Sequence, residues 1–365
     1  MWSGRPFEAE HSLATIRDVA REAGVSIATV SRVFNDSSLV SEPTIRTVRE
    51  VAERLNYWPN GVARSLITSR THALGVLLPD MYGEFFGDVI RGIDLAARQH
   101  GFHLLVSSSH ADSEALAEAL RSMSGRIDGV VVMAPDVDAP EAIRGFSAHC
   151  PVVLLNPGRE VEDVDTISIA NREGSHDMVR HLIGLGHQRI AMVRGPARNV
   201  DAEQRLEGYR SALREAGLGP SPDLEVQGDF TEGSGYESAA DLIKRVPRPT
   251  AVFAANDPMA IGVMSLVRDA GLSVPGDVAV AGFDDIGMSS YTSPPLTTVR
   301  VNTALLGERA VELLMRARRS ANPGVKQHEL LPTTLAIRAS CGARSRDERD
   351  PLRWRRERVA RNLSE

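Results

Sequence analysis

Short apolar runs alternate with helix-like stretches over most of the chain, and this alternation restricts the possible fold more than any other feature. Such runs predict buried β-strands, and strands that alternate with helices form parallel sheets covered on both faces. The apolar runs are residues 74–78, 103–106, 129–133, 152–155, 190–193, 251–254 and 278–281. The helix-like stretches include residues 86–100, 111–124, 172–185, 204–216 and 258–270. We therefore expect an α/β fold with two doubly wound subdomains rather than one.

The composition argues against several classes of protein. The 365 residues include two cysteines, Cys150 and Cys341, which stand far apart in the sequence. A disulfide framework is therefore not expected, and a reducing compartment fits better. No apolar run approaches the length of a membrane span, and the first residues lack a secretory signal. We expect a cytoplasmic protein that has no contact with a membrane.

The charge is unevenly distributed along the chain. Residues 15–70 carry 8 arginines and 6 acidic residues, whereas residues 71–339 carry 25 basic and 35 acidic residues. A mildly basic head on an acidic body is compatible with a polyanionic partner for the head alone. Chance fluctuation in charge remains the alternative.

Residues 15–58 have the pattern of three short helices. Thr15 has the character of a helix N-cap, and Gly24 provides the left-handed conformation that often ends a helix. Ser26 can cap a second helix, and Ser41 begins a third. Two capped helices joined by a glycine turn predict a helix-turn-helix.

The second of these helices has small side chains on the face that is not apolar. Val30 and Val33 point one way, and Arg32 lies among short residues on the other faces. Such a helix can enter the major groove of DNA, where an arginine reaches O6 and N7 of guanine. A three-helix bundle without a ligand is the alternative.

The head resembles the DNA-binding domain of the lactose repressor / galactose repressor family of bacterial regulators. The matching stretches are TIRDVAREAGVS, TVSRVFN and LNYWPNGVARSL. The resemblance implies a hinge helix that folds on DNA and includes Asn60, Ala63 and Leu66. Leu66 is expected to wedge into the minor groove at the operator centre, which unstacks a base step and bends the duplex.

The resemblance also implies roles for residues of the head. Ile27 and Ala28 occupy positions that vary with operator sequence in the family, and we expect them to meet thymine methyl groups while Arg32 reads guanine. Ser26, Thr29, Ser31, Asn35 and Tyr57 are expected to hold phosphates. The full predicted DNA-binding set is Thr15, Ser26, Ile27, Ala28, Thr29, Ser31, Arg32, Asn35, Tyr57, Asn60, Ala63 and Leu66.

Polar side chains follow several of the predicted strands. They are Asp80, Asn156, Asn256, Asp257, Asp284 and Asp285. Ligands of open parallel sheets bind outside the carboxyl ends of the strands, and carboxylates and carboxamides there suit a hydroxyl-rich ligand. A helix N-cap is the alternative for each of them, above all for Asp80, Asp257 and Asp285.

The family resemblance extends to about residue 340, where the body is similar to periplasmic sugar-binding proteins with two α/β lobes, three crossovers and a cleft. It implies that Arg205 clamps an effector and that Asp284 is its acidic partner. The full set of effector residues is Phe85, Phe86, Asn156, Arg205, Phe230, Asn256 and Asp284. Asn156 stands where aspartate is common, and Gly83-Glu84 replaces a small polar residue and a proline. A sugar or sugar derivative is the expected effector, with a purine or a phosphorylated sugar as alternatives.

These observations predict the following organisation. The segments are a disordered leader (1–14), a helix-turn-helix domain (15–58), a hinge (59–70), an effector-binding and dimerisation domain (71–340) and an Arg-rich tail (341–365). Within the body we expect an N-subdomain at 71–170 and 300–326 and a C-subdomain at 171–299 and 327–340.

Taken with the resemblance, these features predict a homodimeric transcriptional repressor. Its operator is expected to be a pseudo-palindrome of double-stranded DNA with a central CG step. A sugar-binding protein without a DNA function is the alternative. The enzyme motifs G-x-S-x-G, H-E-x-x-H and G-x-x-x-x-G-K do not occur in the sequence, and we expect no catalysis, cofactor or metal.

Overall fold

The computed structural model describes residues 14–35, 40–58, 70–110, 112–134, 139–158, 161, 164–319 and 326–343. The chain divides into two compact units between Thr71 and His72, and each unit is described by itself. The predictions for the leader up to residue 13, for the hinge at 59–69 and for the tail from 344 lie outside the described residues. The same holds for Asn60, Ala63, Leu66 and the side chain of Asn35.

The first unit contains the three predicted helices, which are α1 (Ile16–Glu22), α2 (Ile27–Asn35) and α3 (Glu42–Arg54). The Thr15 backbone N–H donates to the Asp18 carboxylate at 3.0 Å, as a capping box requires. The Ser26 hydroxyl accepts from the Thr29 backbone N–H at 3.1 Å. Gly24, between α1 and α2, has a φ of 68°, which glycine adopts without a steric penalty.

The helices of the first unit share one apolar core. It is formed by Val19, Ala20, Val30, Val33, Ile45, Val48, Val51 and Ala52. Because this core buries one face of α2, the other faces of α2 remain available to a partner.

The second unit contains two six-stranded sheets, and the first sheet is parallel throughout. Its strands are β1 (Ala73–Leu78), β2 (His103–Ser108), β3 (Val130–Met133), β4 (Val152–Leu155), β5 (Asp165–Ile169) and β11 (His328–Leu331). They lie in the order β11-β5-β4-β3-β1-β2. This sheet and the helices packed on it are called the first lobe.

The second sheet is parallel except at one edge. Its strands are β6 (Ile190–Arg194), β7 (Glu225–Gln227), β8 (Ala251–Ala254), β9 (Ala279–Asp284), β10 (Thr297–Arg300) and β12 (Thr334–Ala336). They lie in the order β12-β10-β9-β8-β6-β7, and β12 runs antiparallel to β10. This sheet and its helices are called the second lobe.

Eight helices accompany the two sheets in the described part of the second unit. They are α4 (Glu84–Gln99), α5 (Ser113–Met123), α6 (Pro140–Ser147), α7 (Asn171–Gly184), α8 (Val200–Glu215), α9 (Glu232–Ile243), α10 (Asp257–Asp269) and α11 (Thr303–Arg319). Helices α4 and α11 pack so closely that a Cβ on Gly92 would lie 2.7 Å from the Thr303 carbonyl oxygen. The predicted α/β fold with two parallel-sheet subdomains is confirmed.

The chain crosses between the lobes three times, after β5, after β10 and after β11. The boundary expected at residue 327 places His328–Leu331 in the C-subdomain, and this assignment is wrong. The segment pairs with β5 in the first lobe, where His328 meets the Thr166 hydroxyl at 2.9 Å. Arg309 on α11 also forms two hydrogen bonds to Glu329, at 2.9 and 2.7 Å.

No helix within the described ranges is long and apolar enough to cross a membrane. The same ranges contain no group of three His, Cys, Asp or Glu residues that could hold a metal ion.

Candidate functional site

Helix α2 presents an exposed face on the first unit. Ile27, Ala28 and Arg32 are exposed, and the Ile27 side chain is 46% accessible. Val30 and Val33 are buried on the opposite face. Because the buried face of α2 packs in the core of the first unit, its exposed isoleucine and arginine are held at the surface, where they suit contact with base edges in a major groove.

Several other residues of the head that are predicted to bind DNA form hydrogen bonds within the head. The Thr15 hydroxyl donates to the first-turn carboxylate of α1 at 2.7 Å, and the Ser26 and Thr29 hydroxyls lie 2.9 Å apart. Ser31 and Tyr57 are half-buried. Their expected contacts with phosphates stay predictions.

In the second lobe, Arg205 on α8 lies almost fully buried, with 4% of its surface accessible. Its Nε donates to Asn171 Oδ1 at 2.8 Å and its Nη1 donates to the Ala255 carbonyl at 2.6 Å. The guanidinium carbon lies 3.8 Å from the centre of the Phe283 ring. Two hydrogen bonds and a ring face therefore hold the cation in one orientation at the end of the sheet.

Asp284, at the end of β9, is the acidic neighbour of Arg205. Its Oδ1 lies 3.1 Å from Arg205 Nη2, outside hydrogen-bond geometry, and has no hydrogen-bond partner among the described residues. Burial raises the pKa of the Asp284 carboxyl to about 6; Arg205 opposes this rise and Asp201 adds to it. A buried acceptor without a donor is costly, so a ligand hydroxyl or N–H at this point would be favoured.

Three of the predicted effector residues have a backbone conformation that is rare for residues other than glycine. The φ values of Asn156, Phe230 and Asp284 are 44°, 73° and 109°. Asp285 follows with a φ of 59°. Residues held in this region store strain that the surrounding structure must offset, and such residues cluster at functional sites.

Asn256 and Phe230 lie beside this acidic and basic pair. Asn256 caps α10 by accepting from the Met259 N–H at 3.0 Å and donates to the Phe230 carbonyl at 2.9 Å. The Phe230 ring centre lies 5.9 Å from the Arg205 guanidinium carbon. The second lobe thus brings four of the seven predicted effector residues together.

In the first lobe, Phe85 and Phe86 lie in the first turn of α4. Their ring centres are 5.6 Å apart in an edge-on arrangement, and both rings are half-buried against the apolar core. They follow the end of β1, as the sequence indicates, but their contact with a ligand stays a prediction.

Asn156, at the end of β4, uses both ends of its carboxamide within the protein. Its Oδ1 accepts from the Ile169 N–H at 2.8 Å, and its Nδ2 donates to Asp201 Oδ2 at 3.1 Å. Asp201 belongs to α8, so this hydrogen bond joins the two lobes. The sequence analysis singled out Asn156 as a candidate effector residue but did not single out Asp201.

Two further contacts join the lobes through exposed residues that the sequence did not single out as ligand contacts. The Met288 N–H donates to Glu84 Oε2 at 3.0 Å, and the Tyr82 hydroxyl donates to Glu232 Oε2 at 3.4 Å. Tyr82 is 66% exposed and Met288 is 49% exposed. These contacts lie at the surface, whereas Asn156 and Asp201 are buried.

The helix-cap alternative is wrong for Asp80, Asp257 and Asp285, because Gly83, Asn256 and Ile286 hold the three N-cap positions. The Asp80 carboxylate accepts from the next two backbone N–H groups, and Asp285 pairs with two arginines, Arg300 and Arg338.

Asp257 is fully buried, and burial together with the nearby Asp284 raises the pKa of its carboxyl well above 3.8. It accepts from the Ile286 N–H at 3.0 Å and from the Ser289 and Thr298 hydroxyls. Asp257 therefore anchors the loop that follows Asp284.

Comparisons with known proteins give one family match in the first unit and one in the second unit. Residues 15–60 match the bacterial regulatory proteins of the lacI family, and residues 179–341 match the periplasmic binding protein-like domain. The chain is similar to the ribose operon repressor of Escherichia coli (strain K12), with 35% identity over 89% of this chain and 98% of that protein. It is also 34% identical to the HTH-type transcriptional repressor PurR of Photobacterium profundum, over 90% of this chain and 98% of that protein.

Two solved structures extend the similarity to three dimensions. The lac repressor dimer bound to operator and the anti-inducer ONPF gives a TM-score of 0.80 at 32% identity, covering 90% of this chain and 99% of that one. A LacI family regulator from Enterococcus faecium with bound ribose gives 0.66 at 29% identity, covering 73% and 98%. The chain therefore belongs to the lacI family of bacterial regulatory proteins and is a DNA-binding transcriptional regulator, not an enzyme.

Proposed function

We propose that the protein is a cytoplasmic repressor that binds its operator as a homodimer and responds to an uncharged sugar held between the lobes. The DNA part of the proposal is supported by the exposed face of α2 with Arg32, and by the lac repressor, a similar protein that binds operator as a dimer. A twofold-symmetric dimer requires two half-sites, and hence a pseudo-palindromic operator. We expect a central CG step in this operator, where Leu66 would enter.

The observation that carries the ligand part is the buried Oδ1 of Asp284, which is ion-paired with Arg205 but accepts no hydrogen bond from the described residues. A sugar offers hydroxyl groups that donate to the carboxylate and accept from the guanidinium. Asp201 and Asp284 are both at least nine-tenths buried, and the charge of Asp201 adds to the rise in the pKa of Asp284. A phosphate beside Asp284 would add a further negative charge, which disfavours a phosphorylated sugar.

D-ribose is the first candidate among the sugars. The similar proteins include a ribose operon repressor and a regulator whose structure holds ribose. A purine is the second candidate, because PurR repressors are similar to this chain at 34% identity. Its N–H groups could donate to Asp284 and its rings could stack on Phe230.

A ligand that changes the angle between the lobes would change whether the two hinge segments of the dimer can fold on DNA. Because allosteric coupling is a free energy between two sites, the ligand and the operator must alter each other's affinity by the same factor.

The proposal can be tested by selecting bound sequences from a random DNA duplex pool with the full-length protein. We expect a twofold-symmetric site with a central CG step. Operator affinity is then measured with D-ribose, other pentoses and hexoses, ribose 5-phosphate and purine bases. A change with D-ribose and none with ribose 5-phosphate supports the proposal. An asymmetric site would contradict the dimer, and a response to purines alone would contradict the sugar.

Arg32→Ala tests whether the exposed face of α2 reads base edges. It should weaken operator binding by about 5- to 150-fold and relax the preference at one base pair of each half-site. Arg54→Ala is the control, since the exposed Arg54 side chain on α3 instead pairs with Glu22 on α1 at 2.8 Å. Equal losses for both variants would remove the base-reading role of Arg32.

A further inference from the structure

A continuous chain of hydrogen bonds connects the first lobe to Arg205. Asn156 donates to Asp201 Oδ2 at 3.1 Å, and Asp201 Oδ1 accepts from Asn171 Nδ2 at 2.8 Å. Asn171 Oδ1 in turn accepts from Arg205 Nε at 2.8 Å. These four residues are between 1% and 6% exposed, so water competes little for their contacts. They are called the relay below.

The direction of every hydrogen bond in the relay is set by its two ends. The Ile169 N–H can only donate, so Asn156 must present Oδ1 to it and Nδ2 to Asp201. Arg205 Nε can only donate, so Asn171 must present Oδ1 to it and Nδ2 to Asp201. Asp201 therefore faces a donor on each oxygen, and only a carboxylate can accept on both.

The relay also accounts for asparagine at position 156. A carboxylate there would stand 3.1 Å from the carboxylate of Asp201, and two like charges at this distance in a buried site repel strongly. Asparagine replaces this repulsion with a hydrogen bond to a charged acceptor, which is stronger than one between neutral groups.

We propose that Asn156 and Asp201 are positioning residues for the effector site. They tie closure of the lobes to the orientation of Arg205 without touching the ligand, so Asn156 has a different role from the direct effector contact that the family resemblance implies. This proposal rests on the proposed function, since Arg205 is taken as the residue that meets the ligand. It predicts that affinity for the effector depends on the pair and not on the chemical identity of either residue alone.

The test exchanges the two side chains in the full-length protein. Asn156→Asp alone creates the repulsion, and Asp201→Asn alone sets an amide NH₂ against the NH₂ of either Asn156 or Asn171. The double variant Asn156→Asp/Asp201→Asn restores the relay. The new carboxylate accepts from Ile169 and from the new amide, whose oxygen still accepts from Asn171. Asn199→Asp is the control, because it adds the same charge at a residue that caps α8 and lies outside the relay.

Two quantities are measured for all variants: the dissociation constant for D-ribose by calorimetry, and the midpoint of chemical unfolding without ligand. We expect each single substitution to raise the dissociation constant by about 10- to 100-fold and to lower the unfolding midpoint. The double variant should recover most of the lost affinity and most of the lost stability. Asn199→Asp should change neither the dissociation constant nor the unfolding midpoint appreciably.

The outcomes separate this proposal from the proposed function. If the double variant recovers stability but not affinity, Asn156 or Asp201 contacts the ligand itself and the positioning role is overturned. Additive losses of stability would show that the relay does not couple the lobes, which also overturns it. If the unaltered protein binds no sugar, the proposed effector class is wrong, while the unfolding measurements still decide whether the relay exists.

Discussion

The two lobes contribute to the candidate ligand site in different ways. The second lobe supplies side chains that are buried and already hydrogen-bonded or ion-paired, with Arg205 at 4% and Asp284 at 7% exposure. The first lobe supplies side chains at or near the surface, such as Tyr82 and Glu84. Asn156 is the exception in the first lobe, because it is buried and bonded across to Asp201.

This difference assigns preorganisation of the ligand site to the second lobe and closure over the ligand to the first lobe. The second lobe has ordered and desolvated its polar groups during folding, so little further ordering is needed when a ligand arrives. The exposed contacts of the first lobe form only where the two lobes meet. Substitutions in the second lobe should therefore change both stability and ligand affinity, whereas substitutions in the exposed part of the first lobe should change affinity slightly and stability hardly at all.

The largest effect is expected from Arg205→Ala. It leaves the Asp284 carboxylate buried beside other acidic groups, and removal of one partner of a buried pair costs about 3–5 kcal/mol. We expect this loss in the free energy of unfolding by chemical denaturation, together with loss of the operator's response to effector. Operator affinity without effector should stay nearly unchanged.

A double substitution controls for the orphaned charge in that experiment. Arg205→Ala/Asp284→Asn removes both members of the pair and should regain part of the lost stability without regaining the response to effector. If Arg205→Ala alone responds normally to effector, Arg205 does not belong to the ligand site and the contrast between the lobes fails.

An intermediate effect is expected from pH. The pKa of Asp284 is raised from 3.8 to about 6, so the ionised carboxylate destabilises the fold above pH 6, and protonation relieves this as the pH falls toward 3.8. Ligand binding has the opposite sign, because only the carboxylate accepts on both oxygens. Affinity for D-ribose should fall by up to about tenfold per pH unit below pH 6.

Calorimetry between pH 7 and pH 5 measures this dependence. Asp284→Asn is the control and should bind weakly with little dependence on pH in the same interval. Asp201 and Asp257 lie near Asp284, so a dependence that persists in Asp284→Asn would assign the titration to one of them. Affinity of the unaltered protein that does not vary with pH would exclude the carboxylate as the acceptor.

The sequence predicted the architecture because the buried strands are apolar runs such as 251–254, whose composition alone separates them from the helices. It did not predict β5, β7, β10, β11 and β12, which contain polar residues and form through pairing with neighbouring strands. The expected boundary at 327 failed for the same reason, since β11 is defined by its partner β5 and not by its own composition.

Without the family resemblance, which implied Arg205 and Phe230, candidate site residues could be predicted only where a polar residue ends a strand. Asn156, Asn256 and Asp284 have this position, but Asp201 lies in the first turn of a helix, where an acidic residue is common for local reasons. Its role depends on Asn156 and Asn171, which are 45 and 30 residues away in sequence. Such partners become visible only when the tertiary structure brings them together.

The smallest effect is expected from Glu84→Ala, and it gives the sharpest limit on what the exposed part of the first lobe contributes. Glu84 accepts from the Met288 N–H at 3.0 Å at the surface, where one hydrogen bond contributes about 0.5–1 kcal/mol. We expect the dissociation constant for D-ribose to rise by less than about fivefold and the free energy of unfolding to fall by no more than about 1 kcal/mol. Glu84→Gln keeps an oxygen acceptor and should bind as the unaltered protein does. If Glu84→Ala weakens binding as much as Arg205→Ala does, the surface contacts between the lobes govern ligand affinity. The preorganised side chains of the second lobe would then not supply enough binding free energy to offset the cost of closing the lobes.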